Sequence, residues 1–208
     1  MTVQLTKKHS FDIVFDSQKV FRLILEAMSN PLRVVNIQES ADKLFGNCSP
    51  FLAVAMTLLD NETGFTVIGN DLLSEDIASL TLARREEPES ADFIFICDPD
   101  GIEAAIKTAK CGTLSDPHKS ATIIVQNDSD PVCRLSLSGP GIDGTAEIMV
   151  SQVVKDAIAY RNIQFYEYPQ GIDLIFISEE GDLFAIPRLV QLSVVSRRWS
   201  GDDGYEID

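Results

Sequence analysis

Asp173 and Arg188 are the residues whose types and spacing point most directly to chemistry. Asp173 enters an apolar run, Ile172 to Ser178. Glu179-Glu180-Gly181-Asp182 is a polar turn, Leu183 to Ile186 is apolar again, and Arg188 follows Pro187. Two apolar runs joined by a short glycine-containing turn predict a hairpin. In an antiparallel pair the entry of one strand lies beside the exit of the other, so the acid and the arginine are expected within reach. A guanidinium held there could grip an oxyanion such as a phosphate through its forked N–H groups. The plainer expectation is an ion pair that anchors the hairpin. Arg134, which opens the strand leading to Ser138, is a second candidate anion ligand, and its plainer role is a surface salt bridge with one of 32 acids. Gly139-Pro140-Gly141-Ile142-Asp143-Gly144 matches GxGxxG after a strand. Pro140 removes a backbone N–H, and the next helix is expected only near Ser151. The motif therefore reads as a tight Gly-Pro-Gly turn rather than a dinucleotide loop. Gly139 and Gly141 remain candidates for close backbone approach to a ligand.

Other constellations carry less. Asp60 and Glu62 could act as an acid/base pair, but LLDNETG is turn chemistry. His118 lies near Asp116, and His9 is the only other histidine, so a nucleophile–histidine arrangement has little material. Cys48, Cys97, Cys111 and Cys133 include no CxxC pair, which argues for buried thiols over a zinc or iron–sulfur site. No catalytic residue, metal ligand or cofactor-binding residue is assigned.

The elements that must position these residues follow from periodicity. Helices are expected over Ser17–Met28, from Ser49 to Leu59, from Ser74 to Arg84-Arg85, over Ile102–Lys110 and over Ser151–Ile163. Strands are expected over Arg33–Ile37, Phe65–Ile68, Asp92–Ile96, Ala121–Val125 and Cys133–Leu137, followed by the terminal hairpin. Helices and short apolar strands alternate to about residue 125. The expected class is therefore α/β, three-layered, with a mixed, mainly parallel sheet and antiparallel strands in the last third. The chain, 1–208, is expected to be one domain, with 200–208 as a solvated acidic tail.

Composition narrows the function classes. Hydrophobic residues make up 45% of 208 residues, enough for a core. A net charge of −15 disfavours nucleic-acid binding, because a polyanion would be repelled. An anionic ligand would need locally concentrated Arg or Lys. No apolar stretch is long enough for a membrane span. No apolar segment follows Lys7 and Lys8, so no signal peptide is expected and the cytoplasm is the expected compartment.

Five segments in order, FRLILEAMSNPLRV, CGTLSDPHKSATIIV, SLSGPGI, PQGIDLIFI and AIPR, resemble the H subunit of the bacterial carbon–phosphorus lyase core complex. Two positions depart from that pattern. Leu32 stands where the family usually has Gly, and His118 where it usually has an acid. The resemblance implies a scaffold like the large domain of pyridoxal-phosphate-dependent transferases without the cofactor. It implies a homodimer that joins other core subunits and a role in phosphonate catabolism. That role supports transfer of an alkylphosphonate onto the ribose of a nucleoside triphosphate, without being catalytic alone. A phosphonate or nucleotide is the implied ligand class. The alternative is a stand-alone enzyme or binding module for a phosphorylated small molecule, acting through Arg188, Arg134 and the Gly139–Gly141 loop.

Overall fold

A computed structural model describes residues 9–46, 48–127 and 130–194. The acidic tail expected at 200–208 lies outside the described residues. The elements in chain order are α1 (Phe15–Ser29), β1 (Val35–Asn36), α2 (Gln38–Ala41), α3 (Ser49–Leu58), β2 (Gly64–Ile68), α4 (Asp71–Thr81), β3 (Arg84–Arg85), β4 (Phe93–Ile96), α5 (Ile102–Thr108), β5 (Thr122–Gln126), β6 (Cys133–Ser138), β7 (Ala146–Val150), α6 (Gln152–Ile163), β8 (Asp173–Ile177), β9 (Asp182–Ile186) and β10 (Gln191–Val194).

Seven strands form one sheet in the order β1-β9-β8-β5-β4-β2-β3. From β8 to β3 every pairing is parallel, while β9 is antiparallel to both β8 and β1. A second, antiparallel sheet runs β10-β6-β7. The class is therefore α/β with a mixed, mostly parallel sheet.

The central strands are apolar at nearly every position because both faces are covered. Along β8, Leu174 and Phe176 pack into one core and Ile175 and Ile177 into the other. Ile94, Ile96, Ile123 and Val125 share the first core, and Phe95 and Ile124 the second. The second core is roofed by α1, α3 and α4. The first is roofed by α5 and α6, with Leu135, Leu137 and Val150 of the small sheet. This two-faced packing makes three layers. α3 is buried at six successive positions, Pro50 to Ala55, as its all-round apolar sequence predicts.

Two expectations need correction, both at the ends of α4, and two further strands are present. α4 starts at Asp71, not Ser74, because the Asn70 side chain accepts the Leu73 N–H at 3.0 Å and caps the helix earlier. It ends at Leu82, whose φ of 62° turns the chain, so Arg84 and Arg85 form a short edge strand instead of a last helical turn. β7 follows the Gly-Pro-Gly turn and pairs with β6, over residues for which the sequence suggested no element. β10 extends the chain beyond the terminal hairpin into the small sheet.

Candidate functional site

The terminal hairpin forms as its spacing predicts, and Asp173 and Arg188 meet. The Arg188 backbone N–H donates to Asp173 Oδ1 at 2.8 Å. Its Nε donates to Oδ1 and Oδ2 at 3.2 and 3.1 Å, and its Nη2 to Oδ2. The Arg188 Nη1 donates to the Pro117 carbonyl. Both side chains are largely shielded, at 19% and 9% exposure. A buried pair needs such multiple bonding, since desolvation otherwise outweighs the attraction.

Three backbone features hold the surroundings tightly against this pair. Gly171 lies under the arginine stem, where a Cβ would come 3.0 Å from Arg188 Cβ. Gly139 lies against Leu189 and Val190, 2.9 Å from the Leu189 carbonyl by the same measure. A Cβ at Gly141 would come 2.5 Å from the Ser29 carbonyl oxygen and 2.8 Å from Pro31 Cδ. Any side chain at Gly139 or Gly141 would push these segments apart, and both residues have positive φ. Pro31-Leu32 occupies the centre of a tight turn closed by the Arg33 N–H to the Asn30 carbonyl at 3.0 Å, with Leu32 at φ 87°. Proline followed by a positive-φ residue is the signature of a type II turn, whose third position favours Gly.

The five segments quoted for the resemblance therefore converge on one place. Ser29–Leu32, Gly112–Pro117, Gly139–Gly141, Gln170–Asp173 and Pro187–Val190 surround the Asp173–Arg188 pair. Gln170 Nε2 donates to the Gly112 carbonyl at 2.9 Å, and the Gly171 N–H to the Cys111 carbonyl at 3.0 Å, which ties the second segment to the fourth. His118 follows Pro117 on a single 3-10 turn at the rim of this cluster.

Arg134 is not part of it. It sits at the far end of β6 from Gly139, roughly 16 Å along the strand. It pairs with Glu147 at 3.1 Å on an exposed surface. The GxGxxG segment links two antiparallel strands, β6 and β7, with no helix after Gly144 to supply an N-terminus. Asp60 closes its own turn, accepting from the Glu62 and Thr63 N–H groups at 2.9 and 3.2 Å.

Arg161 belongs to the site, and the sequence reading did not single it out as such. It is 4% exposed at the end of α6 and donates to the Ile186, Pro187 and Val190 carbonyls at 3.0, 3.3 and 3.1 Å. It thus holds the loop that carries Arg188. Burial pulls its ionisation down to about 10, opposed by the Asp173 carboxylate and Tyr166. It remains cationic at neutral pH. Tyr166 is pushed up to about 12, mainly by burial and by Cys111, so its hydroxyl stays protonated. The signal for Arg161 was its spacing: it continues the buried stripe Val154, Ala157, Ile158, where an arginine is rare unless bonded.

Two clefts open on either side of Arg188. The smaller, about 300 Å³, exposes Ser29 at the carboxyl end of α1 and Asp173. A helix carboxyl end and a carboxylate repel anions. The larger, about 670 Å³, is walled by Arg161, Arg188, Tyr166, Tyr168 and Gln170 among others, and no acid lies on its described walls. With Asp173 behind it, the pair of guanidiniums leaves one net positive charge, in a chain of net charge −15. The cluster lies where β8 begins and β9 ends. That is the amino edge of the parallel strands, opposite the carboxyl edge where open α/β sheets usually place ligands.

Among the described residues, no group of three His, Cys, Asp or Glu side chains could hold a metal ion. No helix among them is long and apolar enough to cross a membrane.

The fold and cleft define an α/β protein with an arginine-lined cleft, without an acid among its described wall residues, beside its mixed sheet. The chain belongs to the family described as bacterial phosphonate metabolism protein (PhnH), which matches residues 9–193. It is also 28% identical over 178 residues to the "Putative C-P lyase subunit protein HtxG" of Stutzerimonas stutzeri, covering 85% of this chain and 86% of that one.

Proposed function

We propose that this protein is a subunit of a carbon–phosphorus lyase complex in phosphonate catabolism, and that it is not catalytic by itself. It is a single PhnH-like domain, 1–208, on a pyridoxal-phosphate-transferase scaffold that carries no cofactor. It works in the cytoplasm as a homodimer joined to other core subunits, and supports transfer of an alkylphosphonate onto the ribose of a nucleoside triphosphate. Its own contribution is to hold the anionic group of a phosphonate or nucleotide in the larger cleft. The observation that supports this site is one of charge: two arginines and no acid among the described wall residues, at the meeting point of the family's segments. Arg188 holds the anion with the guanidinium N–H groups not given to Asp173 and Pro117, Asp173 fixes the orientation of the guanidinium, and Arg161 fixes the loop. Gly139 lets that loop approach. Arg134 is placed too far away to share the ligand and has a surface role.

Titration calorimetry with methylphosphonate and with inorganic phosphate tests the site. Arg188→Lys keeps the charge and loses the fork, so affinity is expected to fall about tenfold, since a charged hydrogen bond contributes roughly 1.5–3 kcal/mol. Arg134→Ala is expected to leave it unchanged. Equal affinity in wild type and Arg188→Lys refutes the assignment. The reading also expects an absorbance spectrum of the purified protein free of pyridoxal-phosphate, flavin or iron–sulfur bands.

A further inference from the structure

At the carboxyl edge of the parallel sheet, β2 ends at Ile68 and β4 at Ile96, side by side in register. The two chains leave the sheet in close contact, since a Cβ at Gly69 would come 2.4 Å from that of Asp98. This geometry brings Asn70 and Cys97 to the amino end of α3, where Cys48 takes the cap position with φ 61°. The Asn70 Nδ2 donates to the Cys48 sulfur at 3.5 Å while its Oδ1 caps α4. The Cys97 thiol also hydrogen-bonds to Cys48. Both cysteines are half-buried, and Cys48 lines an open cleft of about 480 Å³ with Ser49, Pro50 and Asn70. Cys111 and Cys133 sit on other elements, the first bridged to Ser120 and the second on β6.

We infer that Cys48 and Cys97 form a redox-modification site, a dithiol that a peroxide converts to an intrachain disulfide across the carboxyl edge of the sheet. The roles of the two sulfurs follow from their surroundings. Cys48 is the sulfur that peroxide reaches, since it lines the open cleft, whose wall also includes Glu179, and it accepts a hydrogen bond from Asn70 at the amino end of α3. The hydrogen bond to Cys48 and burial push the Cys97 thiol upward, so it keeps its proton. The Cys48 thiolate attacks one oxygen of hydrogen peroxide. The O–O bond breaks, the departing hydroxide takes a proton from solvent, and Cys48 becomes a sulfenic acid. The Cys97 sulfur then attacks the sulfenic sulfur. Its proton leaves with the hydroxyl as a second water, and the S–S bond closes. Overall two thiols are oxidised and one peroxide is reduced to two waters. The sulfurs start within hydrogen-bond reach, so side-chain rotation carries them towards the roughly 2.05 Å of the bond.

The full chain, reduced and freed of reductant, is treated with hydrogen peroxide, then denatured for thiol counting and peptide mapping. The count is expected to fall from four thiols to two, with a Cys48–Cys97 linked peptide that disappears on reduction. Cys97→Ser is expected to trap the sulfenic acid at Cys48, detected with dimedone. Cys48→Ser is expected to lose the fast reaction. Circular dichroism confirms that each variant is folded. A count that stays at four, a bridge that includes Cys111 or Cys133, or a Cys48→Ser protein that reacts as fast as wild type overturns the inference.

Discussion

At the scale of single residues, the site depends on a few side chains whose neighbours fix their function. Arg161 makes this concrete. Its donors reach three carbonyls of the Ile186–Val190 segment. Arg161→Met is therefore expected to leave those acceptors unpaired and lower stability by about 3 kcal/mol, near the cost of losing several buried hydrogen bonds. Urea unfolding measures this. Leu32 gives a case of the opposite sign. A leucine at φ 87° is strained where the turn favours glycine, and the resemblance says that relatives usually have Gly there. Leu32→Gly is expected to raise the unfolding free energy by up to about 1 kcal/mol. The relief of roughly 1–2 kcal/mol is partly offset by lost packing and by glycine's freedom in the unfolded chain. A fall of more than about 1 kcal/mol would show that the half-buried side chain matters more than the backbone strain. At this scale the sequence disclosed Asp173 and Arg188 because a hairpin makes their separation predictable. It hid Arg161, because helical spacing shows that a residue is inward-facing but not which carbonyls lie opposite.

At the scale of elements, helix α1 shows how charge fixes an element in place. The Asp12 side chain accepts from the Val14 and Phe15 N–H groups at 2.8 and 2.9 Å, which caps the helix. Asp16 accepts from Lys43 at 2.6 Å, which ties α1 to the chain after α2. Burial alone would raise the Asp16 carboxyl. The Lys43 ammonium and the Asp12 N–H more than reverse that, so it titrates below its ordinary 3.8. Asp92 also titrates below its ordinary value: burial would raise it, and the Gly64 N–H and Lys110 reverse that. A depressed folded value means that the contribution to stability is complete above the unfolded value. It is lost as pH falls through the folded one. Urea midpoints are therefore expected to hold from pH 7 to about 5 and fall below about pH 4. Asp16→Asn is expected to be less stable than wild type at neutral pH and to show a shallower acid limb. Equal acid limbs would remove Asp16 from the explanation. Element boundaries were legible where caps and apolar periods coincided, as at Ser151 before α6, whose hydroxyl accepts the Val154 N–H at 3.3 Å. They were misread where two caps competed, as at Asn70 and Ser74. The edge strand at Arg84–Arg85 was hidden because its pairing with Gly64 and Phe65 is purely tertiary.

At the scale of the whole molecule, two surfaces are candidates for the contact of the proposed homodimer. β7 is an outer strand of the small sheet, with Met149 47% exposed, and an open edge invites pairing. Yet it is short, and the Arg134–Glu147 ion pair lies across its solvent face, a feature that discourages strand addition. Helix α1 presents the stronger case. It buries Val20, Ile24 and Ala27 inward but shows Phe21 and Leu25, one turn apart, about half exposed on its other side. Val14 and Phe15 are exposed at its start. An apolar stripe on both sides of one helix signals burial against a second body. The protein is therefore expected to sediment as a dimer at micromolar concentration. The double variant Phe21→Glu, Leu25→Glu is expected to sediment as a folded monomer, because carboxylates on that stripe oppose each other across a two-fold contact. Met149→Lys is expected to remain dimeric. A monomeric wild type would refute the homodimer. A dimeric α1 variant paired with a monomeric Met149→Lys would move the contact to the β7 edge.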